Sequence, residues 1–103
     1  MLLNIEAKEN NGYKIFDILD DGIYVAKSKE DLMDYVRKYG DVEEVYGVTE
    51  QELFDEIEEI PLSSDEAITY KNWDHDYYKC IYDLYKSVSE NDNGTEIILT
   101  YNA

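Results

Sequence analysis

The chain holds little material for covalent catalysis: one histidine, His75, and one cysteine, Cys80. A nucleophile needs a base beside it, and residues five apart on a helix point to different faces. Cys80 therefore reads as a small core residue, and one Cys with one His does not build a structural zinc site. Glu90-Asn91-Asp92-Asn93-Gly94 carries the middle of an EF-hand-like loop. With Gly94 on the invariant glycine, however, Ser89 and Thr100 stand where acidic ligands belong, so a polar turn is expected. The glycines at 12, 22, 40, 47 and 94 are too scattered to cradle a phosphate. The expectation is a non-enzyme with no metal and no cofactor.

Carboxylates are abundant instead. The chain has 25 Asp and Glu against 9 Lys and Arg, a net charge of −16. Eleven of the acids fall within DVEEVYGVTEQELFDEIEEIPLSSDE, residues 41–66, which contains no Lys or Arg. Such a balance disfavours nucleic acid and anionic membrane as direct ligands and points to a basic partner. Thr49 and Glu52 form a capping box, and the spacing of Leu53, Phe54, Ile57 and Ile60 predicts a helix from Glu50 to Ile60 that Pro61 ends. On that helix Glu52, Asp55, Glu58 and Glu59 stand opposite the apolar stripe, with Glu56 flanking it. Like charges then meet at three- and four-residue spacing in Glu52/Glu56, Asp55/Glu59, Glu52/Asp55, Asp55/Glu58 and Glu56/Glu59. Each such pair is unfavourable by about 0.2–0.5 kcal/mol, so the bias is not one that folding would select.

A row of carboxylates about 5–6 Å apart approaches the spacing of phosphates along a DNA strand and can occupy Lys and Arg sites built for phosphate. The candidate partner-binding residues are Glu43, Glu44, Glu52, Asp55, Glu56, Glu58, Glu59, Asp65 and Glu66. Tyr46 and Tyr70, with Trp73, Tyr77 and Tyr78, are the aromatic anchors that such an interface would use.

The elements that must position these residues read as one α+β domain spanning 1–103: a mostly antiparallel sheet of four or five strands packed by two or three helices. Its 44% hydrophobic and 14% aromatic content argues against disorder. Leu3, Ile5 and Ala7 alternate as a first strand, Asn11-Gly12 is a hairpin signal, and Tyr13 to Leu19 and Ile23 to Ala26 complete a meander. Ser28 caps a helix from Lys29 to Tyr39 whose apolar face is Leu32, Met33, Val36 and Tyr39, stopped by Gly40. Val42 to Val48 reads as a charged edge strand. Ser64 or Asp65 caps a last helical stretch, interrupted near Asn72, with Trp73, Tyr77, Ile81, Leu84 and Val88 in register. Thr95 to Tyr101 is a final strand, its Ile97-Ile98-Leu99 run suggesting a buried place in the sheet. No secretory leader and no apolar run of membrane-spanning length is read, so a cytoplasmic protein is expected.

Small size, high negative charge, the row Glu50, Glu52, Asp55, Glu56, Glu58, Glu59 and the richness in tyrosine together resemble the phage-encoded DNA-mimic proteins. These are acidic inhibitors of restriction enzymes, HU-type nucleoid proteins, Cas nucleases or polymerase. The resemblance is one of class, because those proteins share no common fold or motif, and no residue role is carried over from it. It implies a host-takeover inhibitor acting in the host cytoplasm on a basic nucleic-acid-binding protein. A second resemblance, to acidic immunity proteins such as barstar, implies neutralisation of a basic nuclease toxin. A homodimer would double the acidic row.

Overall fold

A computed structural model describes residues 7–18, 21–69, 71–74, 77–92 and 94–100, with Lys71 to Asp74, Tyr77 and Tyr78 described in backbone only. The class is α+β, as the sequence predicts. The elements run β1 (Lys14–Ile18), β2 (Gly22–Ala26), α1 (Lys29–Arg37), α2 (Val42–Tyr46), α3 (Glu50–Glu56), β3 (Ile57–Ile60), α4 (Asp65–Ile68), β4 (Lys71–Asp74), β5 (Tyr77–Lys79), α5 (Ile81–Asn91) and β6 (Glu96–Thr100).

The hairpin β1–β2 is the middle of an antiparallel sheet ordered β3-β1-β2-β6, and β4–β5 is a separate hairpin. Both faces of the central strands are apolar: Phe16, Ile18, Tyr24 and Ala26 point one way, Ile15, Ile23 and Val25 the other. Because side chains alternate along a strand, each set needs its own cover. Leu32, Met33 and Val36 of α1, Val42 of α2 and Leu53 of α3 cover the first face. Ala67 of α4 and Ile81, Tyr82 and Tyr85 of α5 cover the second. Among the described residues five helices thus replace the expected two or three, several of them only one or two turns long.

Tyrosine hydroxyls fasten the second layer. Tyr85 donates to the Tyr13 carbonyl at 2.7 Å and accepts from the Asn10 amide at 2.8 Å, and Tyr82 accepts from the Lys8 amide at 3.0 Å. Tyr13 in turn donates to Asp92 at 2.8 Å and accepts from the Gly94 amide at 2.9 Å. A buried phenol can do this because its ring fills the core while its oxygen reaches backbone that would otherwise be unpaired. The segment 8–13, turned at Asn11-Gly12 with φ of 53° and 79°, is thereby tied to α5.

Several predicted elements hold, and others are corrected. Ser28 caps α1 through the Asp31 amide, but the helix ends at Arg37 and the chain leaves through Gly40 at φ 137°, so Tyr39 falls off the apolar face and is 70% exposed. Val42 to Val48 is not an edge strand: Asp41 caps the Glu43 amide and Gly47, left-handed at φ 73°, closes a short helix. Local capping overrode β-propensity there. The capping box of Thr49 and Glu52 is present, yet the predicted helix to Ile60 stops at Glu56 and continues as β3. The residue before Pro61 is driven toward extended backbone, and the free edge of β1 needs a partner. Ile57 and Ile60, three apart on a strand, then serve opposite cores.

The last predicted helical stretch divides into α4, the β4–β5 hairpin and α5. Residues 72–76 are weak helix formers and Tyr77-Tyr78 favours strand. β6 lies outermost among the described strands, beside β2, and is half-buried rather than central. Cys80 is buried at the start of α5. The expected first strand at Leu3 and Ile5, together with Tyr70, His75 and Tyr101, lies outside the described residues.

Gly22 shows how closely β6 seats. A Cβ there would meet the Leu99 carbonyl oxygen well inside van der Waals contact. Gly22→Ala should therefore cost about 1–3 kcal/mol, the range of an overpacked core site, read as a lower urea midpoint. An unchanged midpoint would mean that β6 does not close on β2 at this position.

Candidate functional site: an exposed acidic surface around α2, α3 and β3

All eleven carboxylates of residues 41–66 are exposed. Several have a local structural reason to be where they are. Glu43 and Glu44 stand in the first turn of α2, and Glu50 and Glu52 in the first turn of α3, where the positive end of the helix favours them. Glu52 also accepts from the Thr49 amide at 3.3 Å, so this predicted partner-binding residue doubles as a cap. Asp55 accepts from the Gln51 amide side chain at 3.0 Å. Asp65 and Glu66 begin α4, on the other side of the sheet from α2 and α3.

The fold alters the predicted geometry in two ways. Because α3 ends at Glu56, Glu58 and Glu59 leave the helical row and point to opposite faces of β3. Only Glu52/Glu56 and Glu52/Asp55 remain as like-charge pairs on one helix, so the phosphate-like row from Glu50 to Glu59 is interrupted. In its place the acids wrap the β3 edge of the sheet. Glu58 lies directly across from Asp17 of β1, a residue that the sequence did not single out. Asp17, Asp55, Glu56 and Glu58 line an open cleft of about 290 Å³. Among the described residues no group of acids, Cys or His has the arrangement to hold a metal ion.

Tertiary structure also brings in cations that the linear stretch lacks. Arg37 binds Glu50 at 2.6 Å while holding Asp34 at 2.8 Å, and Lys14 lies 3.9 Å from Glu59. The Arg37 guanidinium is held above its usual pKa, first by its hydrogen bond to Glu50. Among the described residues Glu43, Glu44, Glu56, Glu58, Asp65 and Glu66 are not in an ion pair.

The aromatic anchors are placed differently from the expectation. Tyr46 is half-buried: its ring packs on the core under α2, and its hydroxyl donates to Asp21 at 3.1 Å. Tyr24 donates to the same Asp21 oxygen at 2.5 Å, so Tyr46 ties α2 to the β1–β2 turn. Tyr70 and the side chains of Trp73, Tyr77 and Tyr78 lie outside the described residues. Among the described residues the exposed large apolar side chains are Tyr39 at 70% and Val45 at 56%. The signal for Tyr39 was its position at the helix stop, next to Gly40.

Tyr39 is not loose. Its ring meets Tyr35 edge-on at 5.2 Å between centroids, its hydroxyl donates to that of Tyr35 at 3.2 Å, and Tyr35 meets Tyr24 edge-on at 5.9 Å. The ladder runs from the core to the surface. Burial is the first cause that raises Tyr24, whose hydrogen bond to Asp21 adds to it, and burial likewise leads in Tyr13, Tyr46 and Tyr85. In Tyr35 burial, then the Tyr39 hydroxyl, pushes the phenol up to about 12.

Compared with family models, curated proteins and solved structures, the chain matches none. No described helix is long and apolar enough to cross a membrane.

Two outcomes follow from this geometry. Replacing Glu58 by Lys turns a like-charged cross-strand pair with Asp17 into an opposite one and should stabilise by about 0.2–1 kcal/mol; a lower denaturation midpoint in Glu58→Lys would contradict the pairing. The raised phenols contribute stability that is fully present below the unfolded tyrosine value near 10 and is lost as pH rises through the folded values. Phenolate absorbance should therefore lag behind that of free tyrosine and then rise with unfolding. Smooth titration near pH 10 with native circular dichroism intact is the opposing result.

Proposed function

We propose that the protein is a non-enzymatic, acidic inhibitor that acts stoichiometrically. It presents Glu43, Glu44, Asp55, Glu56 and Glu58, with Glu52, Glu59, Asp65 and Glu66 around them, to the basic nucleic-acid-binding surface of another cytoplasmic protein and excludes nucleic acid from it. The observation that carries this reading is that every carboxylate of residues 41–66 faces solvent while cations reach only Glu50 and Glu59 among the described residues. A surface selected for solubility alone has no use for such segregation, since interspersed lysines would keep solubility and relieve repulsion. Charge of this density steers association with a cationic groove and suppresses acidic competitors. The interrupted row means that the acids act as a curved field over the sheet edge rather than as a linear copy of a phosphate strand.

The test is displacement of a labelled DNA duplex from purified basic DNA-binding proteins, an HU-type nucleoid protein among them, at low and at high salt. The wild-type protein should release the duplex from at least one of them, less effectively as salt rises. The combined variant Glu43→Gln, Glu44→Gln, Asp55→Asn, Glu56→Gln should weaken that release about tenfold or more, four surface pairs at about 0.2–1 kcal/mol each being lost. DNA that stays bound to every protein at both salt concentrations would refute the reading.

A further inference from the structure

We infer that the outer edge of β3 takes an extended, basic segment of the partner as an added antiparallel strand, with Lys or Arg side chains set across from Glu58 and Glu59. The inference rests on the proposed acidic docking function and adds to it a place and a binding mode.

β3 is one end of the sheet order β3-β1-β2-β6, and among the described residues only β1 pairs with it, from Ile18 across from Ile57 to Ile15 across from Ile60. The Ile57 amide closes α3 on the Phe54 carbonyl, and among the described residues no backbone group of residues 58–60 is bonded outside the ladder to β1. Alternate residues of an antiparallel strand turn their N–H and C=O to opposite sides, so part of this backbone is left for another strand. The opposite edge is less suited. The register of β6 against β2 shifts between Ile23 and Tyr24, an irregularity of the kind that blunts an edge.

Charge decides the occupant. A second copy of this chain laid antiparallel on β3 and centred on Ile57-Glu58-Glu59-Ile60 would set Glu58 across from Glu59 twice over, and like charges directly opposite are destabilising. A basic strand makes both cross-strand pairs attractive. The clefts at the two ends of β3 refine the pattern. At its start Asp17, Asp55, Glu56 and Glu58 line the cleft of about 290 Å³, and all four side chains are acidic. At its end Ala7, Ile60, Pro61 and Leu62 give an apolar wall to a cleft of about 270 Å³ that Glu59 and Lys14 border. A cation fits the first and an apolar side chain the second, so the added segment is basic at its centre and apolar beside it, not a plain polycation. In strand addition the main-chain bonds supply affinity and the flanking clefts supply specificity.

Titration of the isotope-labelled protein with four capped hexapeptides, followed by amide chemical shifts, tests the mode. The parent is Thr-Val-Lys-Arg-Val-Thr, and a second peptide has the same composition in the order Lys-Val-Thr-Thr-Val-Arg. The other two are the parent with backbone N-methyl groups on its odd or on its even positions. The parent should bind with shifts centred on residues 57–60, about threefold or more tighter than the scrambled peptide. An added strand turns only alternate N–H groups toward β3, so one N-methylated form should weaken about fivefold or more while the other stays within about twofold of the parent. Glu58→Gln with Glu59→Gln should weaken the parent about fivefold, with circular dichroism matching the wild type. Methylated forms that bind alike, a scrambled peptide as good as the parent, undiminished binding to the double variant, or no binding of the parent at millimolar concentration would overturn strand addition. Those results leave the acidic docking function standing, because duplex displacement reads it separately. Selective loss with one methylated form, alongside failure to displace any duplex, would refute the exclusion of nucleic acid and keep the strand.

Discussion

The fold depends on a two-stranded hairpin that is apolar on both sides. Every residue of Gly22–Ala26 is buried, as are Ile15, Phe16 and Ile18 opposite. A strand pair of that kind cannot face water on either side. It forces helices onto both faces and extra strands onto both edges, although the chain has only 103 residues to supply them. The shortness of α2, α3 and α4 follows from this demand. Each delivers one or two apolar side chains to a core and then gives way to the next element.

The same demand explains the tyrosines. A small three-layer protein has loops that cross its layers, and their backbone amides and carbonyls need partners. Tyr82, Tyr85 and Tyr13 supply them while filling volume, with hydroxyls bonded to backbone groups of Lys8, Asn10, Tyr13 and Gly94, and Tyr24 and Tyr46 donate instead to the Asp21 carboxylate. Among the described residues the tyrosine side chains are thus largely internal, and Tyr39 differs by lying outside both cores. The acids occupy what is left: helix first turns, the last turn of α3 and the exposed positions of β3. Local capping makes the first turns favourable for single carboxylates, but it does not require that eleven of them go without an interspersed Lys or Arg. That surplus is the ground for a docking role.

Much of the fold was legible in the residues. Asn11-Gly12, Ser28 and the Thr49/Glu52 box acted locally as their chemistry predicts, because a turn or cap is decided by a few neighbouring dihedrals and one hydrogen bond. The acidic stretch was legible as exposed. Misreadings occurred where one pattern served two periodicities. Leu53, Phe54, Ile57 and Ile60 fit a helical stripe, yet the last two are a strand whose isoleucines feed separate cores. Asp41 and Gly47 marked a short helix, but the β-branched residues between them favoured a strand.

Composition and local capping thus determined by themselves that the domain is α+β, that its charge is massed in residues 41–66, and that those charges face water, since no isolated carboxylate enters an apolar core. Tertiary structure decided the rest. Which cations reach the acids, where α3 gives way to β3, how Asp17 comes to face Glu58, and which tyrosine remains at the surface all depend on long-range strand pairing and two-sided packing. Those contacts join residues tens of positions apart, and no local periodicity encodes them.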